Sequence, residues 1–144
     1  MNLRPLGYEP NELPDCSTPQ NHLSVVVIGS SITPELDSAL AAASKAGKPV
    51  MLDFYADWCV SCKEMERFTF TDAAVQKRLA GALLLKADVT ANNDHDRELL
   101  KRFRLFGPPG TIFFDASGNE IRAARLIGYQ NSRGFLDTLR SAGL

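Results

Sequence analysis

The feature that most restricts the fold of this chain is an alternation of short apolar runs with helical segments, which begins near residue 23. Runs rich in branched aliphatic residues predict strands at 25–28, 50–55, 82–88 and 111–114. Cap residues and helical spacing predict the intervening helices at 33–46, 60–68, 72–79 and 92–103. Because strands separated by helices pair in parallel, the pattern indicates an α/β fold.

The last part of the chain departs from this alternation. After the strand at 111–114, a turn at Ser117-Gly118-Asn119 leads into a second strand through Ile121 and Leu126, which predicts a hairpin. Ser132 is predicted to cap a final helix. The sheet is therefore expected to be mixed, with about five strands flanked by helices.

Length and charge narrow the class of protein further. The 144 residues carry a net charge of −1, which favours neither nucleic acid nor an anionic membrane as partner. No apolar run approaches the ~20 residues of a membrane-spanning helix, and the first residues lack the apolar stretch of a secretory signal. The chain is therefore either a cytosolic protein or a domain cut from a larger exported one.

Residues 1–22 form a separate segment in this interpretation. They contain four of the eight prolines, at Pro5, Pro10, Pro14 and Pro19. Prolines at that spacing exclude a helix and favour an extended strap or linker. We predict a proline-rich extension over 1–22 and one folded domain over 23–144.

Cysteine usage points to the chemistry. Of three cysteines, Cys59 and Cys62 are three residues apart, directly after the predicted strand at 50–55. Cys59 falls where a helix begins, and the positive end of a helix dipole stabilises a thiolate there. We expect an exposed Cys59 that attacks a partner disulfide and a shielded Cys62 that resolves the mixed disulfide.

Two other interpretations of the pair stay open. A Cys-x-x-Cys supplies two of the four ligands of a zinc site, and the remaining candidates are Cys16, His22 and His95. Their spacing is unusual for zinc. An inert structural disulfide is the second alternative. Redox exchange is the favoured interpretation, because this motif in an α/β context is a strong signal.

Asp53 is the second unusual residue, because it lies within the apolar run at 50–55. A buried carboxylate is costly without a purpose, and burial would raise its pKa toward the working range of a proton carrier for Cys62. The alternative is an exposed strand-end aspartate. Asp57, Glu64 and Glu66 add negative charge near the pair, which disfavours a thiolate at Cys59. The couple is therefore predicted to be an electron donor. Glu64 itself is interpreted as part of a solvated helix face.

Pro108-Pro109 precedes the strand at 111–114. X-Pro bonds are where cis peptides occur, and a cis proline facing the cysteine pair leaves backbone free to accept a substrate strand. An ordinary trans loop is the alternative.

These residues together resemble the thioredoxin superfamily: Trp58-Cys59-x-x-Cys62-Lys63 after a strand with Asp53, then a proline before a hairpin. Within it, the sequence is similar to the C-terminal periplasmic domain of the DsbD family of transmembrane electron carriers, over about residues 33–142. The segments that carry the match are 50–66, Phe68-Thr69-Phe70, 86–92 and Phe113-Phe114-Asp115. The segment before Leu23 is not included.

The resemblance implies a thioredoxin-like fold and an electron relay. Cys59 would be the nucleophile and Cys62 the resolving thiol, Asp53 and Glu66 the acids that tune the pair, and Pro109 the cis proline. The implied partners are the transmembrane and N-terminal domains of the same protein, leading to disulfide isomerases and cytochrome maturation.

The same resemblance implies a periplasmic domain of an inner-membrane protein, monomeric when isolated, with no cofactor or metal besides the cysteine pair. No counterpart of Cys16 is recognised in the family; a free thiol is expected there, with an intermolecular disulfide as the alternative. A free-standing cytosolic thioredoxin and a non-catalytic thioredoxin-like binding module remain alternatives.

Overall fold

A computed structural model describes residues 25–28 and 32–144 of the chain. The predicted extension over 1–22, with Cys16 and His22, lies outside these residues. The elements in chain order are β1 (Val25–Ile28), α1 (Ile32–Lys45), β2 (Val50–Tyr55), α2 (Val60–Glu64), a π-helical turn (Met65–Thr69), α3 (Ala73–Leu79), β3 (Leu83–Asp88), α4 (Asp94–Arg102), β4 (Gly110–Phe114), a 3₁₀ turn (Arg122–Ala124), β5 (Leu126–Ile127) and α5 (Ser132–Ser141).

The strands form one five-stranded sheet in the order β1-β3-β2-β4-β5. β3 pairs in parallel with both β1 and β2. β4 pairs antiparallel with β2 and with the two-residue β5. The predicted α/β class with a mixed sheet is confirmed.

β2 lies at the centre of the sheet, and all six of its residues are buried. Leu52 and Phe54 pack on one face in a cluster with Leu36 of α1 and Leu99 of α4. Met51 packs on the other face with residues of α3 and α5, among them Phe135. Helices therefore cover both faces, which explains why the run at 50–55 is apolar almost throughout.

Two local predictions near the C-terminus are wrong. The hairpin's second strand is not continuous: Glu120 forms an isolated bridge with Phe114, the 3₁₀ turn follows, and pairing resumes at Leu126. Ser132 does not cap α5, because Asn131 is the N-cap and its side chain accepts from the Gly134 N–H at 2.9 Å. Asparagine and serine cap equally well, so the sequence could not distinguish the two positions.

The N-terminus of α1 also differs from the prediction. The helix starts at Ile32, which places Thr33 inside its first turn instead of at the cap. Its end agrees better, since Gly47 follows α1 with a φ of +69°, a conformation that favours glycine. In the part of the chain that the structure describes, no helix is long and apolar enough to cross a membrane.

Candidate redox site

Cys59 and Cys62 form a disulfide at the start of α2, with their Cα atoms 5.3 Å apart. Cys59 is the N-cap residue, in extended conformation, and the Cys62 N–H donates to its sulfur at 3.2 Å. Helix α2 and the π-helical turn follow without a break. The Cys62 N–H in the first turn of this segment therefore points at the Cys59 sulfur, which favours a thiolate there.

The expectation of an exposed Cys59 is wrong for the disulfide form. Cys59 is 7% exposed and Cys62 3%, so both belong to the buried core. The Cys62 sulfur lies 3.8 Å from the Phe54 carbonyl oxygen, over the end of β2. Trp58 and Val60 on either side of Cys59 are exposed. The pair is thus an enclosed disulfide between two exposed apolar side chains.

Asp53 is buried, as the functional interpretation requires, and not an exposed strand-end residue. It lies in the middle of β2, opposite Lys86 on β3 and Thr111 on β4. Burial raises the pKa of Asp53 to about 8, and the negative charge of Glu66 adds to the rise. Lys86 and a hydrogen bond with Thr111 act in the opposite direction. Asp53 can therefore hold or release a proton near neutral pH.

Glu66 reaches the same region from the π-helical turn. Its carboxylate pairs with the Lys86 ammonium, with Nζ 2.7 Å from Oε2. The same ammonium lies 3.8 Å from the centre of the Tyr55 ring. Asp53, Glu66, Lys86 and Tyr55 therefore form one electrostatic cluster against β2.

Besides Asp53, three acids lie near the cysteine pair, and each has a different environment. Glu66 has a cation beside it, whereas the Asp57 carboxylate accepts from the Tyr55 hydroxyl at 3.0 Å. Burial raises the pKa of Tyr55 above its usual value, and the hydrogen bond to Asp57 acts in the same direction. Glu64 is exposed, in agreement with the solvated face predicted for it.

Thr90 holds the loop before Cys59 in place. Its carbonyl accepts from the Trp58 indole N–H at 3.0 Å, and its hydroxyl accepts from the Asp57 N–H at 2.9 Å. Asp88 in turn accepts from the Thr90 N–H at 2.9 Å. The end of β3 thus orients the segment that carries the cysteine pair.

The bond between Pro108 and Pro109 is cis, which identifies Pro109 as the cis proline. The next residue, Gly110, pairs with Phe54, so Pro109 lies beside the end of β2 and the cysteine pair. The Gly128 N–H donates to the Pro109 carbonyl at 3.1 Å. Because neither proline has an N–H, this loop can accept hydrogen bonds from a partner strand through the Pro108 carbonyl but cannot donate from 108 or 109.

Across the described residues, no group of three or more His, Cys, Asp or Glu could hold a metal ion. Cys59 and Cys62 are bonded to each other, and His95 is remote in sequence at the start of α4.

Lys86 and Thr90 are members of the site that the sequence did not predict. Lys86 is the only charged residue within the apolar part of β3, before Asp88, which is the same signal that singled out Asp53 in β2. Thr90 has no comparable signal, because its role depends on the approach of the β3 end to Trp58.

Comparison with known proteins agrees with this geometry. A family model described as thioredoxin-like matches residues 31–116, more than half of the chain. The crystal structure of the oxidised C-terminal domain of Neisseria meningitidis DsbD superposes with a TM-score of 0.68 at 34% identity, covering 81% of this chain and 98% of that domain. The chain belongs to the thioredoxin-like family. A thioredoxin from Thermus thermophilus is also similar, with 28% identity and a TM-score of 0.66 over 85% of this chain and 89% of that one.

Curated relatives of this thioredoxin-like domain are thiol:disulfide interchange proteins DsbD. The Ralstonia nicotianae protein is 62% identical over 108 residues, which are 75% of this chain and 18% of that protein. The Salmonella paratyphi A protein is 47% identical over 94% of this chain and 23% of its own length, so the similarity extends into the segment before residue 23, where none was expected. The chain thus spans about a fifth of the length of these relatives.

These matches confirm the resemblance to the DsbD C-terminal domain. The Cys59–Cys62 disulfide agrees with the cysteine pair that this resemblance implies.

Proposed function

We propose that this domain is a protein-disulfide reductase that relays electrons through Cys59 and Cys62, as the C-terminal part of a DsbD-like carrier. One observation carries the proposal: Cys59 caps the helix, and the Cys62 N–H donates to its sulfur. This arrangement stabilises Cys59 as a thiolate and leaves Cys62 behind it as the resolving group.

The reaction begins with the reduced pair. The Cys59 thiolate attacks one sulfur of a partner disulfide, forms the mixed disulfide and expels the partner's other sulfur as a thiolate. Cys62 then loses its proton and attacks the Cys59 sulfur, which releases the second partner thiol. The partner gains two electrons and the domain returns to its disulfide form. A reduced upstream dithiol reverses these steps and reloads the pair.

Asp53 is the group proposed to take the proton from Cys62. With a pKa of about 8, Asp53 gives its own proton to solvent at little cost near neutral pH, and the carboxylate so formed accepts the proton of Cys62. It shares β2 with Phe54, whose carbonyl lies against the Cys62 sulfur. Glu66 and Lys86 tune the process, since the carboxylate raises and the ammonium lowers the pKa of Asp53.

A protein partner is supported by the surface around the pair. Trp58 is 58% exposed and Val60 72%, although large apolar side chains are usually buried. Pro109 and the Gly128 that bonds to it border the same region. These groups offer apolar contact to a protein segment that carries a disulfide.

The proposed place of the domain follows from its relatives. DsbD proteins are about five times longer than the matched region, and this region matches their C-terminal domain. We assign the domain to the periplasmic side of an inner-membrane protein. It would receive electrons from the transmembrane domain and pass them to the N-terminal domain, toward disulfide isomerases and cytochrome maturation. The cysteine pair itself carries both electrons, so the relay needs no further cofactor.

The test uses the full chain with Cys16→Ser, so that only the pair reacts. The probe is the oxidised N-terminal domain of the Ralstonia nicotianae relative. We expect reduced protein to reduce it, Cys62→Ser to accumulate a mixed disulfide through Cys59, and Cys59→Ser to do neither. Absence of the mixed disulfide would refute the proposal. The reduction potential of the Cys59–Cys62 pair should also lie nearer that of thioredoxin, about −270 mV, than that of DsbA, about −120 mV.

A free-standing thioredoxin is the competing function, favoured by the similarity to the Thermus thermophilus protein. The Cys16→Ser protein distinguishes a relay domain from a free-standing thioredoxin. Fast reduction of the pair by thioredoxin reductase and NADPH, with no reaction toward the N-terminal domain, would support the cytosolic alternative. A protein that reduces neither probe would be a binding module.

A further inference from the structure

A groove runs along α4 and the loop that follows it. It is a cavity of about 590 Å³, lined by Asn92, Arg97, Leu100, Lys101, Arg104, Leu105 and Phe106. Leu100 and Leu105 are buried and form an apolar floor, while the Phe106 side chain is fully exposed at the rim. An exposed phenylalanine beside an apolar floor is typical of a contact surface. We call this the α4 groove.

The charge of the α4 groove is one-sided. Arg97, Lys101 and Arg104 line it, and none of the described residues that line it is an acid. Arg104 also lines a neighbouring cavity of about 230 Å³ together with Arg102, Arg122, Arg125 and Glu120. The two cavities thus share a wall and combine six cations with one acid. The whole chain has a net charge of −1, so this concentration is local.

Half of these cations already have acidic partners. Arg97 pairs with Asp94, Arg102 with Asp37 and Arg125 with Glu120. Among the residues that the structure describes, no hydrogen bond or ion pair joins Lys101, Arg104 or Arg122 to another side chain or to the backbone through their side-chain nitrogens. Three cationic groups of the surface therefore have free hydrogen-bonding capacity.

The backbone of Arg104 is also unusual. It ends α4 in the left-handed region, with a φ of +57°. The Leu105 N–H donates to the Leu100 carbonyl at 2.8 Å and the Arg104 N–H to the Lys101 carbonyl at 3.0 Å, which is the Schellman pattern that favours glycine at this position. An arginine there conflicts with local preference, as residues at functional sites often do.

The α4 groove lies between the two loops that border the cysteine pair. Asn92 at one end is two residues from Thr90, whose carbonyl holds the Trp58 indole. Phe106 at the other end is three residues before the cis Pro109. Both ends of the groove are therefore within three residues of groups that border the cysteine pair.

We propose that the α4 groove docks an acidic segment of the partner protein next to its disulfide. Its carboxylates bind Lys101 and Arg104 in the groove and Arg122 in the neighbouring cavity, and an apolar side chain packs against Phe106 and the leucine floor. Opposite charges at such a surface mainly raise the association rate and select among partners. The inference rests on the proposed function, because the partner is the protein whose disulfide exchanges with Cys59.

The test compares two synthetic disulfide-bonded peptides that differ only in flanking residues, Glu-Leu-Glu in one and Gln-Leu-Gln in the other. Reduced full-length protein with Cys16→Ser is mixed with each, and the fluorescence of the single tryptophan, Trp58, follows the reaction. At low salt the acidic peptide should react about tenfold faster. About 0.5 M salt should abolish that advantage, because it screens exposed charges.

Charge-reversal variants locate the effect. Lys101→Glu and Arg104→Glu should each remove most of the advantage of the acidic peptide. The matched control is Lys77→Glu, an exposed residue of α3, which packs on the opposite face of the sheet, and it should keep the advantage. Equal rates for the two peptides, or an equal loss in the control, would overturn the docking proposal.

Two further readouts separate the possible failures. The uncharged 4,4′-dithiodipyridine should oxidise all variants at the same rate, which reports the cysteine chemistry alone. Normal reaction with this reagent and no preference for the acidic peptide would leave disulfide exchange standing and refute the groove. Analytical ultracentrifugation supplies the last outcome. If the protein is a dimer and Arg104→Glu makes it monomeric, a second copy occupies the groove, and the proposal is refuted.

Discussion

The Lys86 ammonium forms an ion pair with Glu66, 2.7 Å from its carboxylate, while its own residue lies opposite the buried Asp53 in the sheet register. One cation thus serves two acids that reach it from different elements, β2 and the π-helical turn. It lowers the pKa of Asp53, whereas burial and Glu66 raise it. The proton affinity of Asp53 is therefore set by a balance that a single substitution can shift.

Replacing that cation should move the balance in a known direction. Lys86→Met removes the charge that lowers the pKa of Asp53 and leaves Glu66 unneutralised, so the pKa should rise by about one unit. Carbon-detected NMR titration of the Asp53 carboxyl group measures it. Lys45→Met, at the exposed end of α1, is the control and should leave the value unchanged. An unchanged pKa in Lys86→Met would show that the ion pair does not act on Asp53.

Asp53→Asn should stabilise the oxidised protein, and more so at high pH. The native pKa of about 8 exceeds the ordinary 3.8, so native Asp53 keeps its proton while the unfolded chain has lost it. Wild-type unfolding free energy therefore falls as pH rises from about 4 to about 8. Asparagine cannot ionise and avoids that loss.

The size of this gain follows from the shift. One pKa unit corresponds to about 1.4 kcal/mol, so urea unfolding at about pH 9 should show a gain of several kcal/mol. Near pH 5 the gain should be much smaller. Glu64→Gln on the exposed helix face is the control. A difference between Asp53→Asn and wild type that is independent of pH would contradict a raised pKa.

Arg104→Gly should stabilise the fold, in contrast to most glycine substitutions. Its φ of +57° suits glycine, and the relief is worth about 1 kcal/mol. For a domain of this size the melting temperature should rise by roughly 2–4 °C. Arg104→Ala removes the same side chain without the backbone relief, so it should show no such rise. Equal melting temperatures for the two variants would mean that the backbone at 104 carries no strain.

The cap of α5 offers a test of the corrected helix start. Asn131→Ala removes the hydrogen bond to the Gly134 N–H and should cost about 1 kcal/mol. Ser132→Ala should cost less than half of that, because its exposed hydroxyl only donates to the Phe68 carbonyl. Chemical unfolding of both variants measures the difference. A larger cost for Ser132→Ala would restore the sequence-based assignment.

Several features of the site follow from local sequence. Cys59 and Cys62 at a helix start, and Asp53 within an apolar strand, are recognisable because their signals lie within a few consecutive residues. The strands at 25–28 and 50–55 were predicted with their observed bounds, because their hydrophobicity ends sharply. The hairpin was not, since the 3₁₀ turn at 122–124 depends on packing of Ala124 in the core.

The sequence alone therefore determined the fold class, the redox pair and the buried acid, because each is written in short-range patterns of polarity and spacing. Only the tertiary structure decided which charges meet. Lys86 faces Asp53 through the register of β2 and β3, and Glu66 reaches it across a helical turn. The cavity beside the α4 groove likewise arises where Arg104, just after α4, approaches Arg122 of the 3₁₀ turn. Electrostatic energies depend on distance and burial, and neither is a property of sequence neighbours.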